Sequence, residues 1–178
     1  MKNCWKKIAA LFCAAAMMFS FTACALEDPE QTSSEESSGS ESSKEEVSQI
    51  SDEDAEDSLK GLVLYLDAKG YLSENSVEMS ASMIGAESGL KYSVSLNGTD
   101  NITIELYEFD LENLNDEAQA IIESVKKDGT FTVAGMQASG AMMSNSGKYM
   151  MIYTDTVDNE ENTARAEKVK EDFAGFKN

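Results

Sequence analysis

Residues 33 to 46 read Ser-Ser-Glu-Glu-Ser-Ser-Gly-Ser-Glu-Ser-Ser-Lys-Glu-Glu, without one aliphatic or aromatic side chain. A stretch of this composition buries too little apolar surface to offset its ordering entropy, so the chain cannot fold through it. The part long enough and apolar enough to build a core is residues 51 to 178, about 128 residues, the size of one ordinary domain. Three regions result: residues 1 to 23, a tether from 24 to 50, and a folded part from 51 to 178. As a flexible coil the tether spans about 25 to 30 Å, and like-charge repulsion lengthens it. Its composition is that of a solvated spacer without a recognition role of its own.

Charge follows the same divisions. The net charge of -19 is +3 over residues 1 to 23, -12 over 24 to 58 and -10 over 59 to 178. Such a balance repels phosphate backbones and argues against nucleic acid as a partner. The chain has no His, which excludes a Ser-His-Asp or Cys-His site and His-ligated zinc or iron.

Lys2, Lys6 and Lys7 precede an apolar run over residues 8 to 21, broken only by Cys13 and Ser20. A positive start followed by 14 mostly apolar residues has the form of an export signal and is short of the roughly 20 needed for a spanning helix. The run ends in Phe21-Thr22-Ala23-Cys24. There the chain resembles bacterial lipoproteins, whose lipobox closes on a small residue followed by Cys, with Phe21 in place of the commoner Leu. The resemblance implies a diacylglycerol thioether and an acyl chain such as palmitate on Cys24. It also implies cleavage that leaves Cys24 first, and a cell-membrane protein held by lipid on the extracytoplasmic face. The competing reading is an ordinary secretory signal with Cys24 as a bystander. Cys4 and Cys13 would leave with the signal, so no pair remains for an internal disulfide.

Within the folded part, Ser51-Asp52-Glu53-Asp54 is a cap followed by acids, and Leu59, Leu62, Val63 and Leu66 repeat at helical spacing up to Gly70. The spacing predicts a helix over residues 52 to 69, then one short amphipathic turn holding Met79, Met83 and Ile84. Leu90, Tyr92, Val94 and Leu96 alternate with polar residues, as do Ile102, Ile104 and Leu106 after the turn residues 97 to 101. That is a hairpin. The sequons at Asn97 and Asn101 carry no weight, since three-residue patterns recur by chance. A second helix is expected over residues 116 to 127, strands near 130 to 134 and 148 to 154 joined by a Gly/Ser/Met stretch, and a last helix over 160 to 174 packing Ala166, Val169 and Phe173. The fold class is therefore α+β, a mainly antiparallel four-stranded sheet with about three helices on it. The order from Ile104-Glu-Leu-Tyr-Glu-Phe-Asp110 through Phe131-Thr-Val to the C-terminal helix is similar to small uncharacterised lipoproteins of Firmicutes. That similarity implies fold and location and no catalytic residue.

Chemistry is sparse. Glu105 and Glu108 lie three apart in a strand and so face opposite sides, and Asp155 with Asp158 reads as solvated charge. The run Asp155-Thr-Val-Asp-Asn-Glu-Glu161 departs from a calcium loop at Val157 and lacks its Gly, so no metal and no cofactor is expected. Met142-Met143 and Met150-Met151 fit core packing better than Cu(I) ligation. If Ile102, Ile104 and Leu106 face the helices, Tyr107 and Phe109 lie on the other face, where Tyr149 and Tyr153 could join them. An exposed aromatic face of this kind suits a protein or cell-wall carbohydrate; otherwise the first helix covers it. The expectation is a non-catalytic binding domain presented by a lipid anchor. The alternative is an extracytoplasmic hydrolase using paired carboxylates.

Overall fold

The computed structural model describes residues 51 to 178. The expected signal, Cys24 and the tether lie outside the described residues. Helix α1 spans Leu59–Ala68 and starts where the Ser58 hydroxyl accepts the Gly61 N–H at 3.1 Å. The predicted start at residue 52 is thus corrected by two caps in competition. Ser51 closes one turn of its own, with the Ala55 N–H reaching the Ser51 carbonyl, and Ser58 opens a fresh helix. Between them Asp52, Glu53, Asp54, Glu56 and Asp57 offer no apolar stripe, and only Ala55 enters the core.

Strands β1 (Ser76–Glu78), β2 (Ser88–Val94) and β3 (Ile102–Glu108) follow, with a short 3-10 turn at Ala81–Ile84 between the first two. Helix α2 covers Asp116–Asp128, capped by the Asn115 carboxamide, which accepts the Ala118 N–H at 2.8 Å, and closed by Gly129 at φ 72°. Three short strands and one long one come next: β4 (Thr130–Val133), β5 (Met136–Ser139), β6 (Ala141–Met143) and the longer β7 (Tyr149–Asp155). Helix α3, Glu160–Gly175, is last.

The class is α+β with three helices and antiparallel pairing, but the strand count differs from the four expected. Five strands form the main sheet in the order β1-β2-β3-β7-β6, and β4 with β5 forms a separate two-stranded sheet. The extra strands arise where periodicity is weakest. All three residues of β1 are exposed, so no alternation marks it. The stretch read as a linker holds β5 and β6. Its reversal is made by Ala134 and Gly135, both at positive φ (50° and 78°), between the paired residues Val133 and Met136.

Two cores lie on the two faces of the main sheet. On one, Leu62 and Leu66 of α1 and Val169 and Phe173 of α3 meet Ile102, Ile104, Leu106 and Met151. On the other, Ile121, Ile122 and Val125 of α2 meet Phe109, Phe131 and Met150. Fully burying each such side chain contributes roughly 1.5 to 3 kcal/mol. The adjacent methionines of β7 thus serve different cores, and Met142 and Met143 divide in the same way.

Two polar networks fasten this frame. The Tyr149 hydroxyl donates to Asp57 Oδ1 at 2.6 Å, and Lys148 Nζ lies 3.4 Å from the same oxygen and 3.1 Å from Glu108. Glu108 Oε2 in turn accepts the Leu59 N–H at 2.9 Å, so the start of α1 is tied to the sheet. At the opposite end, Asp155 accepts from the buried amides of Asn101 (2.8 Å) and Asn162 (2.7 Å). Asn101 is therefore a structural residue of the hairpin loop, with its nitrogen already occupied.

Candidate binding cleft

The four aromatic residues expected to share an exposed face do not do so. Register decides this: Leu106 pairs with Met151, Ile104 with Tyr153, and Tyr107 with Met150. Tyr149 and Tyr153 therefore lie on the α1/α3 side with Ile104 and Leu106, while Tyr107 and Phe109 lie on the α2 side. All four are covered, with exposures of 6% for Tyr107, 0% for Phe109, 0% for Tyr149 and 6% for Tyr153. The cover over Tyr107 and Phe109 also differs from expectation, because α1 sits on the other face. Helix α2, Phe131 of β4 and the 3-10 turn pack there instead.

One of the four still reaches a cavity. A cleft of about 420 Å³ opens on the α2 side of the sheet. Its floor is Glu105, Tyr107 and Ile152; Met79, Met83 and Ile84 form one wall, and Phe131, Val133 and Ala138 form the other. The floor follows from the pleat, since Glu105 and Tyr107 are two apart on β3 and Ile152 faces Glu105 on β7. The second wall exists because the Ala134-Gly135 turn folds β5 back along β4. Volume and lining fall in the ordinary range of small-molecule sites, mostly apolar with a few polar groups.

Those polar groups are Ser80, Glu105 and Tyr107; Glu78 touches the rim only, since its partner Leu90 places its side chain on the α1 side, where it lines a second cavity. The Tyr107 hydroxyl donates to Glu105 Oε2 at 3.0 Å, and Lys91 Nζ stands 3.7 Å from Glu105 Oε1. Burial pushes the Tyr107 phenol well above its usual range, and the neighbouring Glu105 charge and hydrogen bond add to this. The phenol stays protonated and directs its O–H at Glu105. Gly89 makes room for the ring: a Cβ at that position would stand 2.7 Å from Tyr107 Cδ1.

The carboxylate pairs are separated. Glu105 lies in the cleft, and Glu108 points to the other face, toward Lys148 and the start of α1. Asp155 is taken up by Asn101, Asn162 and the Val157 N–H, while Asp158 is exposed. Among the described residues no group of three or more carboxylates or thiols is placed to hold a metal ion. A second cavity of about 530 Å³ lies between Leu59, Lys60 and Val63 of α1 and strands β1 and β2, without an aromatic side chain.

Sequence reasoning missed Met79, Met83, Phe131, Val133 and Ala138 as cleft residues. No local pattern marks them, because they meet only through the placement of the 3-10 turn and the small sheet on one face. No protein-family model, curated protein or solved structure matches the chain. The site's chemistry therefore rests on its own residues.

Proposed function

We propose that the protein is a lipid-anchored extracytoplasmic lipoprotein whose folded domain binds a ligand and does not catalyse a reaction. The observation that carries the anchoring is the lipobox-like Phe21-Thr22-Ala23-Cys24 after a charged start and an apolar run. Attachment through diacylglycerol on Cys24 needs no basic patch to hold it, consistent with the acidic residues that follow. Binding is supported by the cleft over Tyr107, and the lodging of Glu105 and Glu108 on opposite faces weighs against a hydrolase built on that pair. A protein or cell-wall carbohydrate remains a partner for the displayed domain as a whole.

Detergent-phase partitioning tests the anchor. The parent protein is expected in the detergent phase. Cys24→Ala is expected in the aqueous phase or as an uncleaved precursor. Partitioning unchanged by the substitution, with normal processing, would overturn the lipid attachment.

A further inference from the structure

The two edges of the main sheet differ. At β6 the Ala141 N–H, turned away from β7, donates to the Gly129 carbonyl at 3.0 Å, and Ala141 packs with the apolar residues of α2. The β1 edge is open, and the residue after the strand fixes which of its groups face outward. The Met79 N–H donates to the Gly89 carbonyl at 2.9 Å, and hydrogen-bonded pairs alternate along an antiparallel ladder. Val77 with Lys91 is therefore the next such pair, and Ser76 and Glu78 turn their N–H and C=O groups to the free side. All three residues of β1 are exposed.

Cavities open along this edge on both faces of the sheet. On the α1 side one of about 530 Å³ is lined by Leu59, Val63, Glu78 and Leu90, and one of about 170 Å³ by Val63, Asp67, Glu74 and Tyr92; both reach Ser76. On the α2 side a third, of about 610 Å³, runs past Val77, Lys91 and Ser93. Neither Asp67 nor Glu74 has an ion-pair partner among the described residues.

We propose that β1 accepts an extended segment of a partner protein, antiparallel to it, as a sixth strand of the main sheet. The backbone of that segment pairs with Ser76 and Glu78, and its side chains point alternately to the two faces. An apolar residue opposite Glu78 enters the cavity beside Leu59 and Val63. Two residues further on, a Lys or Arg opposite Ser76 reaches Asp67 and Glu74. Charge selects this occupant over two others. The chain's own tether is acidic, with -12 over residues 24 to 58, and a second copy would bring another Glu74 and Glu78 to the same short edge. The edge is a surface separate from the Tyr107 cleft, and neither needs the other to be occupied.

The test uses the full-length chain in detergent micelles and the labelled peptide acetyl-Thr-Val-Thr-Val-Thr-Lys-Thr amide. Fluorescence anisotropy reads binding, and hydrogen exchange with mass spectrometry reads residues 74 to 79. Saturable binding with slowed exchange of that segment is expected. Methyl groups on the second Val and the Lys nitrogens, which face β1, should abolish binding; on the Thr nitrogens, which face away, they should not. Exchanging the peptide Lys for Glu should weaken binding at least about fivefold, the scale of an exposed ion pair. Asp67→Lys with Glu74→Lys, both at exposed positions, should reverse that preference.

Binding that survives the Val and Lys methyl groups would overturn backbone pairing, and equal binding of the Lys and Glu peptides would overturn the basic partner. Absence of saturable binding would overturn the edge as a peptide site. Protection of residues 74 to 79 without peptide would overturn the assignment in favour of a second copy if it rises with protein concentration, or of the tether if deletion of residues 25 to 50 removes it. Lipid anchoring, read separately through Cys24→Ala, is unaffected by any of these outcomes.

Discussion

Gly89 and Tyr107 are cross-strand partners, and the tyrosine ring occupies the volume that any side chain at position 89 would need. Gly89→Ala is expected to force the ring away from its bond to Glu105 and to cost about 1 to 3 kcal/mol, the usual range for overpacking. In a Tyr107→Ala background the same substitution should cost much less, because the ring atoms are gone and only Met79 Cβ, at 3.2 Å, still stands close. Urea unfolding of the four proteins in this double-mutant cycle checks the coupling; equal costs in both backgrounds would disprove it.

Gly61 sits inside α1, where intrinsic propensity favours Ala by about 1 kcal/mol. A Cβ there would lie 2.0 Å from the Glu56 carbonyl oxygen, so the backbone before the helix would have to move. Gly61→Ala is therefore expected to lower stability, by about 1 to 3 kcal/mol, against the direction that propensity sets. Thermal unfolding followed by circular dichroism measures it.

The Tyr149 hydrogen bond to Asp57 couples the start of α1 to pH. That bond holds the Asp57 carboxyl below its ordinary range, outweighing the opposite effect of burial and helped by Lys148. A carboxyl depressed in the folded state contributes stability above its unfolded value, near pH 4, and loses it as pH falls through the folded value. Tyr149→Phe should accordingly cost about 1 kcal/mol at pH 7. The gap to the parent protein should narrow as pH drops toward 3, which paired urea titrations at the two pH values will show.

Ala134 occupies the left-handed region at φ 50° in the tight turn between β4 and β5. A residue with a Cβ pays roughly 1 to 2 kcal/mol there, partly offset by the greater freedom glycine loses on folding. Ala134→Gly should raise stability by about 0.5 to 1 kcal/mol. A lower unfolding midpoint in urea would contradict the turn assignment.

Helix α2 and the β2–β3 hairpin were legible in the sequence because their signals are local. Acids open the helix, an apolar stripe of Ile121, Ile122 and Val125 runs along it, and Gly129 ends it; the hairpin shows strict alternation around Asn and Gly. The turn at 134 and 135 escaped notice because Ala-Gly is a poor match to the Asn-Gly or Asp-Gly pair that marks such turns. The sidedness of Tyr149 and Tyr153 was equally hidden. Alternation shows which residues of one strand share a face, but only the pairing of β3 with β7 says which face that is. The cleft needed both missing facts, since one of its walls is the small sheet and its floor depends on that register.

The methionines differ sharply in their access to oxidants. Met150 and Met151 are sealed in the two cores, whereas Met83 at the cleft is 50% exposed and Met136 beside the Ala134-Gly135 turn is 67% exposed. Thioether oxidation follows access, so peroxide reaches Met136 and Met83 long before the core sulfurs. Sulfoxide at Met136 alters an exposed surface. At Met83 it replaces part of an apolar wall with a strong dipole and one more acceptor oxygen. The exposure of this wall therefore lets the chemistry of the cleft change under oxidative stress well before that of the two cores, while the fold around it stays intact.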